Sequence, residues 1–393
     1  MPNPSLTRRG VLGAAGAAAA LVACREQRAS TPVTTPVEGT PSASVSPDVG
    51  APSGDVSTTT TAAAATTTVV EPTSAAAGDY FPPAHGGEWD GVSVADAEFT
   101  QEGIDALVEL VRSANSQSFI LLRHGRIVAE HYWAGADAEA TLDIASCQKS
   151  VVSTLVGLAR HRELLALDDT VSQWLGSGWS NAAEGDEAAI TVQHLLTMTS
   201  GLAEDTLEVR AAPGAEWEYN TNAYQKLRRV LEAATGTGIE ALTDEWLFTS
   251  IGASPQAQWA VRARAGADPV GDELWGLNLA ARDMARYGLL AMRDGVWDGQ
   301  RLVPEGWFAE AWAPIPQKRD YGYLWWLVGR GHLARLGIPM DTVAALGAQD
   351  QKIYVAPSAG LVLCRQGEAA GRVSATESDF DAALLTALLT AVA

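Results

Sequence analysis

Lysine is scarce in this chain: 393 residues hold only four, Lys149, Lys226, Lys318 and Lys352, and the net charge is −20. So acidic a chain offers no phosphate-binding surface, which sets nucleic acid aside as a partner. Cysteine is scarcer still. Cys24, Cys147 and Cys364 make no disulfide framework and show no metal-ligand spacing, so no metal or cofactor is expected. Cys147 and Cys364 are read as free, buried thiols. No G-x-S-x-G occurs, so the nucleophile elbow of an α/β-hydrolase is missing although six histidines are present. Between Cys24 and Tyr80 there is no Leu, Ile, Met, Phe, Tyr or Trp. Residues 25–78, rich in Thr, Ser, Ala, Pro and Val, cannot bury enough apolar surface to offset chain entropy and are predicted to form a disordered tether. As a flexible coil it would reach about 40 Å.

Ahead of the tether, Thr7-Arg8-Arg9-Gly10-Val11-Leu12 resembles a twin-arginine export signal, and an apolar, alanine-rich run follows over 10–23. The run is too short for a permanent membrane span. It ends in Leu21-Val22-Ala23-Cys24, which resembles a lipobox and makes Cys24 a candidate for lipidation. Residues 1–24 are therefore expected to direct export. A lipid anchor would then hold the chain at the outer face of the cytoplasmic membrane, with a folded domain over 79–393.

Within that domain, Asp143-Ile144-Ala145-Ser146-Cys147-Gln148-Lys149 opens a run in which Val151, Val152, Leu155, Val156 and Leu158 recur at helical spacing. A helix beginning at Ser146 places Lys149 one turn on, on the same face. Serine is a weak nucleophile without a neighbouring base, and a lysine can be that base only if desolvation keeps it neutral. The valines and leucines around Lys149 can supply the desolvation. Cys147 is an alternative nucleophile on position alone. A serine cap followed by a solvated lysine is the plain structural alternative.

The rest of the domain reads as a helix over 100–114 capped by Thr100, then two strands, 119–123 and 126–133, joined at His124-Gly125. Residues 159–306 read as mainly helical, with helices over 192–198, 222–234 and 280–292. Strand-like runs return at 322–328, 352–355 and 360–365, and a helix closes the chain over 379–392. Strands at both ends with helices between predict an α/β (α+β) fold: one antiparallel sheet flanked by helices, carrying a helical insertion.

Two further segments complete a site. Pro213-Gly214-Ala215-Glu216-Trp217-Glu218-Tyr219 reads as a loop before a helix, so Tyr219 is either a proton relay or a packed hydrophobe. Ala345-Leu346-Gly347-Ala348 offers a glycine that lets backbone approach a ligand, with the Ala348 amide as an oxyanion donor beside that of Ser146.

In this order the pieces resemble the serine hydrolases of the class C β-lactamase and penicillin-binding-protein fold. The motifs are Ser146-x-x-Lys149, the run Ile190-Thr191-Val192-Gln193-His194-Leu195-Leu196-Thr197-Met198-Thr199-Ser200-Gly201-Leu202, the Tyr219 segment, and Ala281-Arg282-Asp283-Met284-Ala285-Arg286-Tyr287-Gly288 after Trp275. Within the group, the chain looks most like 6-aminohexanoate-dimer hydrolases and related esterases. The resemblance implies Ser146 as acylated nucleophile, Lys149 as base, Tyr219 as catalytic tyrosine and His194 as structural, with a small ester or amide as substrate. Two departures stand out. The family's Tyr-x-Asn is here Tyr219-Asn220-Thr221, leaving Asn220 and Asn222 as candidate substrate contacts. Its Lys-Thr-Gly is here Ala345-Leu346-Gly347, with Gly347 lining the site and Lys352 read as a surface residue. Losing that lysine weighs against a β-lactamase or D,D-peptidase. With Asp350, the departures also fit a fold that has lost turnover and binds cell-wall fragments.

Overall fold

A computed structural model describes residues 80–370, 373–374 and 377–393 of the chain. The export signal, Cys24 and the tether lie outside the described residues. Thr100 accepts a hydrogen bond from the Gly103 amide and starts helix α1, Gln101–Ser113. The predicted hairpin follows as β1, Ser116–Arg123, and β2, Arg126–Tyr132. His124 and Gly125 both take positive φ at its corner, 50° and 88°, the geometry that matches the twist of paired strands.

Strand β3, Thr141–Asp143, leads into helix α2, Gln148–His161. Next come α3, Val192–Leu196, and α4, Thr221–Thr235, the latter ended by Gly236 in the left-handed conformation. Strands β4, Gln258–Val261, and β5, Trp275–Ala280, precede α5, Ala281–Met292, and α6, Trp307–Ala311. The chain ends with β6, Val343–Gly347, β7, Gln351–Ala356, β8, Leu361–Gly367, and α7, Asp379–Ala391.

Five strands form one antiparallel sheet in the order β2-β1-β8-β7-β6, so the first hairpin and the last three strands close the core together. Alternation along β7 shows how it is covered. A Cβ on Gly288 of α5 would fall 2.6 Å from Val362 and 3.1 Å from Ile353, so α5 lies tight against that face. The next residue, Tyr354, points the other way and donates its hydroxyl to Asp381 of α7. Helix α1 packs beside α7, where Ala391 leaves room only for hydrogen at Gly103. The sheet is thus sandwiched between α5 and the α1–α7 pair, an antiparallel α/β architecture as expected. No helix among the described residues is long and apolar enough to cross a membrane.

Three expectations need correction. Residues 322–328 form no strand: Leu324 takes φ 61°, and Trp326 makes only isolated bridges to Tyr321 and to Ala344 at the edge of β6. The aromatic run is apolar because it is buried, and periodicity cannot separate that from a strand. The stretch 159–306 is helical in part but also carries β4 and β5, which pair with β3 in a second sheet of order β3-β5-β4. Lys352 is not a surface residue. It lies on the α7 side of β7, buried, with Nζ 3.0 Å from Asp350 and 2.6 Å from Asp381. Two carboxylates compensate the buried ammonium, which is why a lysine tolerates the core here.

Candidate active site

Ser146 sits where a strand turns into a helix. Asp143 ends β3 and accepts the Ala145 amide at 2.8 Å, Ala145 takes φ 50°, and residues Ala145–Cys147 make one 3₁₀ turn. The α-helix starts at Gln148 rather than at Ser146. Left-handed alanine is uncommon and costs backbone strain, so neighbouring contacts must hold it. The turn still leaves Ser146 Oγ 3.0 Å from Lys149 Nζ.

Lys149 is buried along with all of α2 from Gln148 to Ala159. Its ammonium faces the rings of Tyr224 and Tyr219 at 4.5 and 5.0 Å, and Thr221 Oγ1 lies 3.4 Å away. Burial pushes the Lys149 pKa down to about 7, helped by the nearby Arg262 cation, while Glu204, Cys147 and Asp143 pull it up. The amine is therefore half neutral near pH 7, which an exposed lysine is not.

Tyr219 moves the opposite way: burial raises its pKa, and a hydrogen bond with Ser146 offsets part of the rise. At neutral pH it is a phenol that can give a proton, and not a phenolate that could take one. Its ring stacks on Trp326 at 6.0 Å and 22° and packs against Trp217 at 6.3 Å. This aromatic wall fixes the phenol's orientation with few rotatable bonds.

The candidates separate in space. Ser146, Lys149 and Tyr219 come together. Gly347 joins them because a Cβ there would lie 2.5 Å from the Ile144 carbonyl oxygen and 3.1 Å from the Ala145 Cβ. Only glycine lets the end of β6 lie so close to the Ala145–Cys147 turn, which brings the Gly347–Ala348 corner beside Ser146. The two asparagines are used otherwise. Asn220 is buried, caps α4 by accepting the Ala223 amide at 2.7 Å, and donates to the Leu202 carbonyl at 2.8 Å. Asn222 donates to the Glu204 carbonyl at 2.6 Å. Between the two asparagines, Thr221 faces Lys149, in the position where the motif departs. His194 completes a capping box with Thr191 at the start of α3. Cys147 is buried, donates to the Ala345 and Gln351 carbonyls at 3.2 and 3.3 Å, and has its thiol pKa raised by burial, so it is no nucleophile.

A family model for beta-lactamase matches residues 104–384. The chain belongs to the beta-lactamase family. Esterase EstB of Burkholderia gladioli is 29% identical over a match covering 34% of this chain and 44% of the esterase, so the chain spans under half the length of that curated relative. Among solved structures, a protein named as a 6-aminohexanoate-dimer hydrolase from Bacillus anthracis has a TM-score of 0.57 at 18% identity, covering 72% of this chain and 80% of its own. EstCE1, described as a hydrolase with promiscuous acyltransferase activity, has a TM-score of 0.58 at 16% identity, covering 75% and 98%. At such identities these two share the fold. A curated relative of this beta-lactamase-family chain is thus an esterase.

Sequence reasoning missed Glu204, Gln148 and Arg262 around this beta-lactamase-family site. Glu204 accepts the Thr221 amide at 3.2 Å. Gln148 lies within the quoted stretch, but its role depends on β5, whose Leu277 amide it accepts at 2.9 Å. No local pattern marks Arg262.

The lowered Lys149 pKa has a stability consequence. The unfolded chain binds a proton there up to about pH 10.5 and the folded chain only up to about 7, so this group's contribution to stability rises with pH across that window and is least favourable below it. Lys149→Met, which removes the burden, is expected to raise Tm relative to wild type most at pH 6, with the difference fading toward pH 10.5. Paired thermal scans across that range check it.

Proposed function

We propose that the protein hydrolyses an ester or small amide through an acyl-enzyme on Ser146. The observation that carries this reading is Lys149 Nζ lying 3.0 Å from Ser146 Oγ with its pKa pushed down to about 7. Neutral Lys149 takes the serine proton as Oγ bonds to the carbonyl carbon. The amides of Ser146 and Ala348 stabilise the tetrahedral oxyanion. As the intermediate collapses, the bond to the leaving oxygen or nitrogen breaks, Tyr219 gives that atom its phenolic proton, and the Lys149 ammonium restores it. Water, deprotonated by the same amine, then attacks the acyl carbon, the acyl–Oγ bond breaks, and the Lys149 ammonium returns the proton to Ser146 Oγ.

The substrate class draws on two things. The site hairpin carries Ala345 where the resembling enzymes have a lysine for a substrate carboxylate, and the named relatives include an esterase and a dimer hydrolase. Reaction of the full chain with a fluorophosphonate, which phosphonylates an activated serine and releases fluoride, tests the site. One adduct by intact mass is expected on wild type and none on Ser146→Ala. A folded wild type with no adduct would refute this reading in favour of a binding module, and an adduct on Ser146→Ala would move the nucleophile elsewhere.

Residues 1–24 and the tether support export and anchoring through Cys24, which would hold the 79–393 domain off the outer face of the cytoplasmic membrane. Cys24→Ser is expected to move the protein from the membrane fraction to the soluble exported fraction. An unchanged distribution would dismiss the anchor.

A further inference from the structure

Ala145 stands in a left-handed conformation one residue before the proposed nucleophile, and a specific set of contacts holds it there. The Asp143 carboxylate that accepts the Ala145 amide is itself gripped by Arg262: Nε lies 2.6 Å from one oxygen and Nη2 lies 2.7 Å from the other. The same Nη2 donates to Gln148 Oε1 at 3.2 Å. One guanidinium therefore ties Asp143, two residues before the 3₁₀ turn, to Gln148, the residue after it. A planar, two-pronged donor suits this task and an ammonium does not.

The grip is built in from several sides. Gln148 is fixed on β5 by the Leu277 amide and by donating to the Trp275 carbonyl at 2.9 Å. Gly276, between those two residues, leaves the space the ion pair occupies: a Cβ there would lie 2.7 Å from both Arg262 Nε and an Asp143 oxygen. Arg262 follows β4 and starts a loop closed by its own amide on the Leu274 carbonyl at 2.7 Å. That loop is pinned to α4 by buried Lys226, whose Nζ reaches Asp268 and Asp272 at 2.5 Å each, and by Arg229 on Asp272 at 2.6 Å. Helix α4 begins at Thr221, two residues beyond Tyr219. The loop thus links the tyrosine's helix to the serine's turn.

We propose that Arg262 is a positioning residue for the acyl-transfer site: through Asp143 and Gln148 it holds the Ala145–Ser146 turn in the left-handed step that sets Ser146 Oγ against Lys149. The proposal rests on Ser146 being the acylated serine. The Arg262 guanidinium donates to Asp143 and Gln148, not to the Ser146 or Lys149 side chains. It is also one of the charges around Lys149, whose surroundings comprise the Ser146 and Thr221 hydroxyls, Tyr219, Tyr224, the Cys147 thiol, the Asp143 and Glu204 carboxylates and the Arg262 cation. Removing Arg262 leaves burial alone to oppose the groups that raise the lysine's pKa.

The test is the second-order rate of fluorophosphonate labelling at Ser146 across pH 5–10, in the full chain, for wild type, Arg262→Ala, Arg262→Lys and Asp143→Asn. Loss of turn geometry is expected to slow labelling by about 10- to 100-fold in all three variants, the scale that small misplacements of a nucleophile produce. The acid limb is expected to move to higher pH in Arg262→Ala, to lower pH in Asp143→Asn, and to stay near wild type in Arg262→Lys, which keeps the charge without the fork. A structural ion pair alone would lower Tm and leave rate and limb in place. Labelling within twofold of wild type with an unmoved limb in Arg262→Ala and Asp143→Asn would overturn the proposal while leaving Ser146 as nucleophile. If Arg262→Ala does not fold, Asp143→Asn decides. Wild type unlabelled at Ser146 would overturn both readings.

Discussion

A lysine amine taken out of water and set against a serine hydroxyl is the constraint on which this structure turns. Placing an amine where it cannot keep its proton is costly, and a chain of this charge could not hold it so with carboxylates alone around it. The surroundings are mixed: two aromatic rings, a threonine hydroxyl, a thiol donating to carbonyls, and one arginine whose charge opposes two nearby carboxylates. The fold supplies that mixture from four separate parts of the chain: the end of β3 with the turn into α2, the Glu204 loop, the start of α4 with the residues just before it, and the β4–β5 connection.

The sheet and its helices serve this arrangement mainly by close approach. Glycine at 347 lets β6 touch the Ala145–Cys147 turn, and glycine at 157 lets α2 lie on the Trp307 ring, where a Cβ would come within 2.3 Å. Ser150, one residue after Lys149, donates to the Leu324 carbonyl at 2.8 Å, and the Tyr287 hydroxyl donates to the Ser150 carbonyl at 2.5 Å. The helix bearing the lysine is thereby fixed along its length, so the Ser146–Lys149 distance follows from packing around it rather than from the motif alone.

What could be read in the sequence was local or came from the family motifs. Ser146 and Lys149 are one helical turn apart, and apolar spacing predicted their helix. The hairpin at His124-Gly125 and the Thr100 cap follow from turn and capping chemistry within a few residues. What escaped depends on long-range partners. Arg262 and Asp143 are separated by 119 positions, and neither carries a local signal of the other. Lys352 read as exposed because a buried lysine is rare, and only the fold brings Asp381 to it. Strands β4 and β5 are short, and glycine, asparagine and glutamine interrupt their pattern. Asn220 and Asn222 attracted attention as amides beside a tyrosine, yet their bonds show one capping a helix and the other tying it to the Glu204 loop.

The scarcity of lysine offers a direct view of the central claim. Protein labelled at lysine ¹³Cε has four signals to resolve, and comparison with Lys149→Met assigns the one that matters. Titration of that signal is predicted to have its midpoint near pH 7, set by burial and the Arg262 charge. A midpoint above pH 10, where an exposed lysine titrates, would mean the amine keeps its proton at neutral pH and cannot be the base for Ser146.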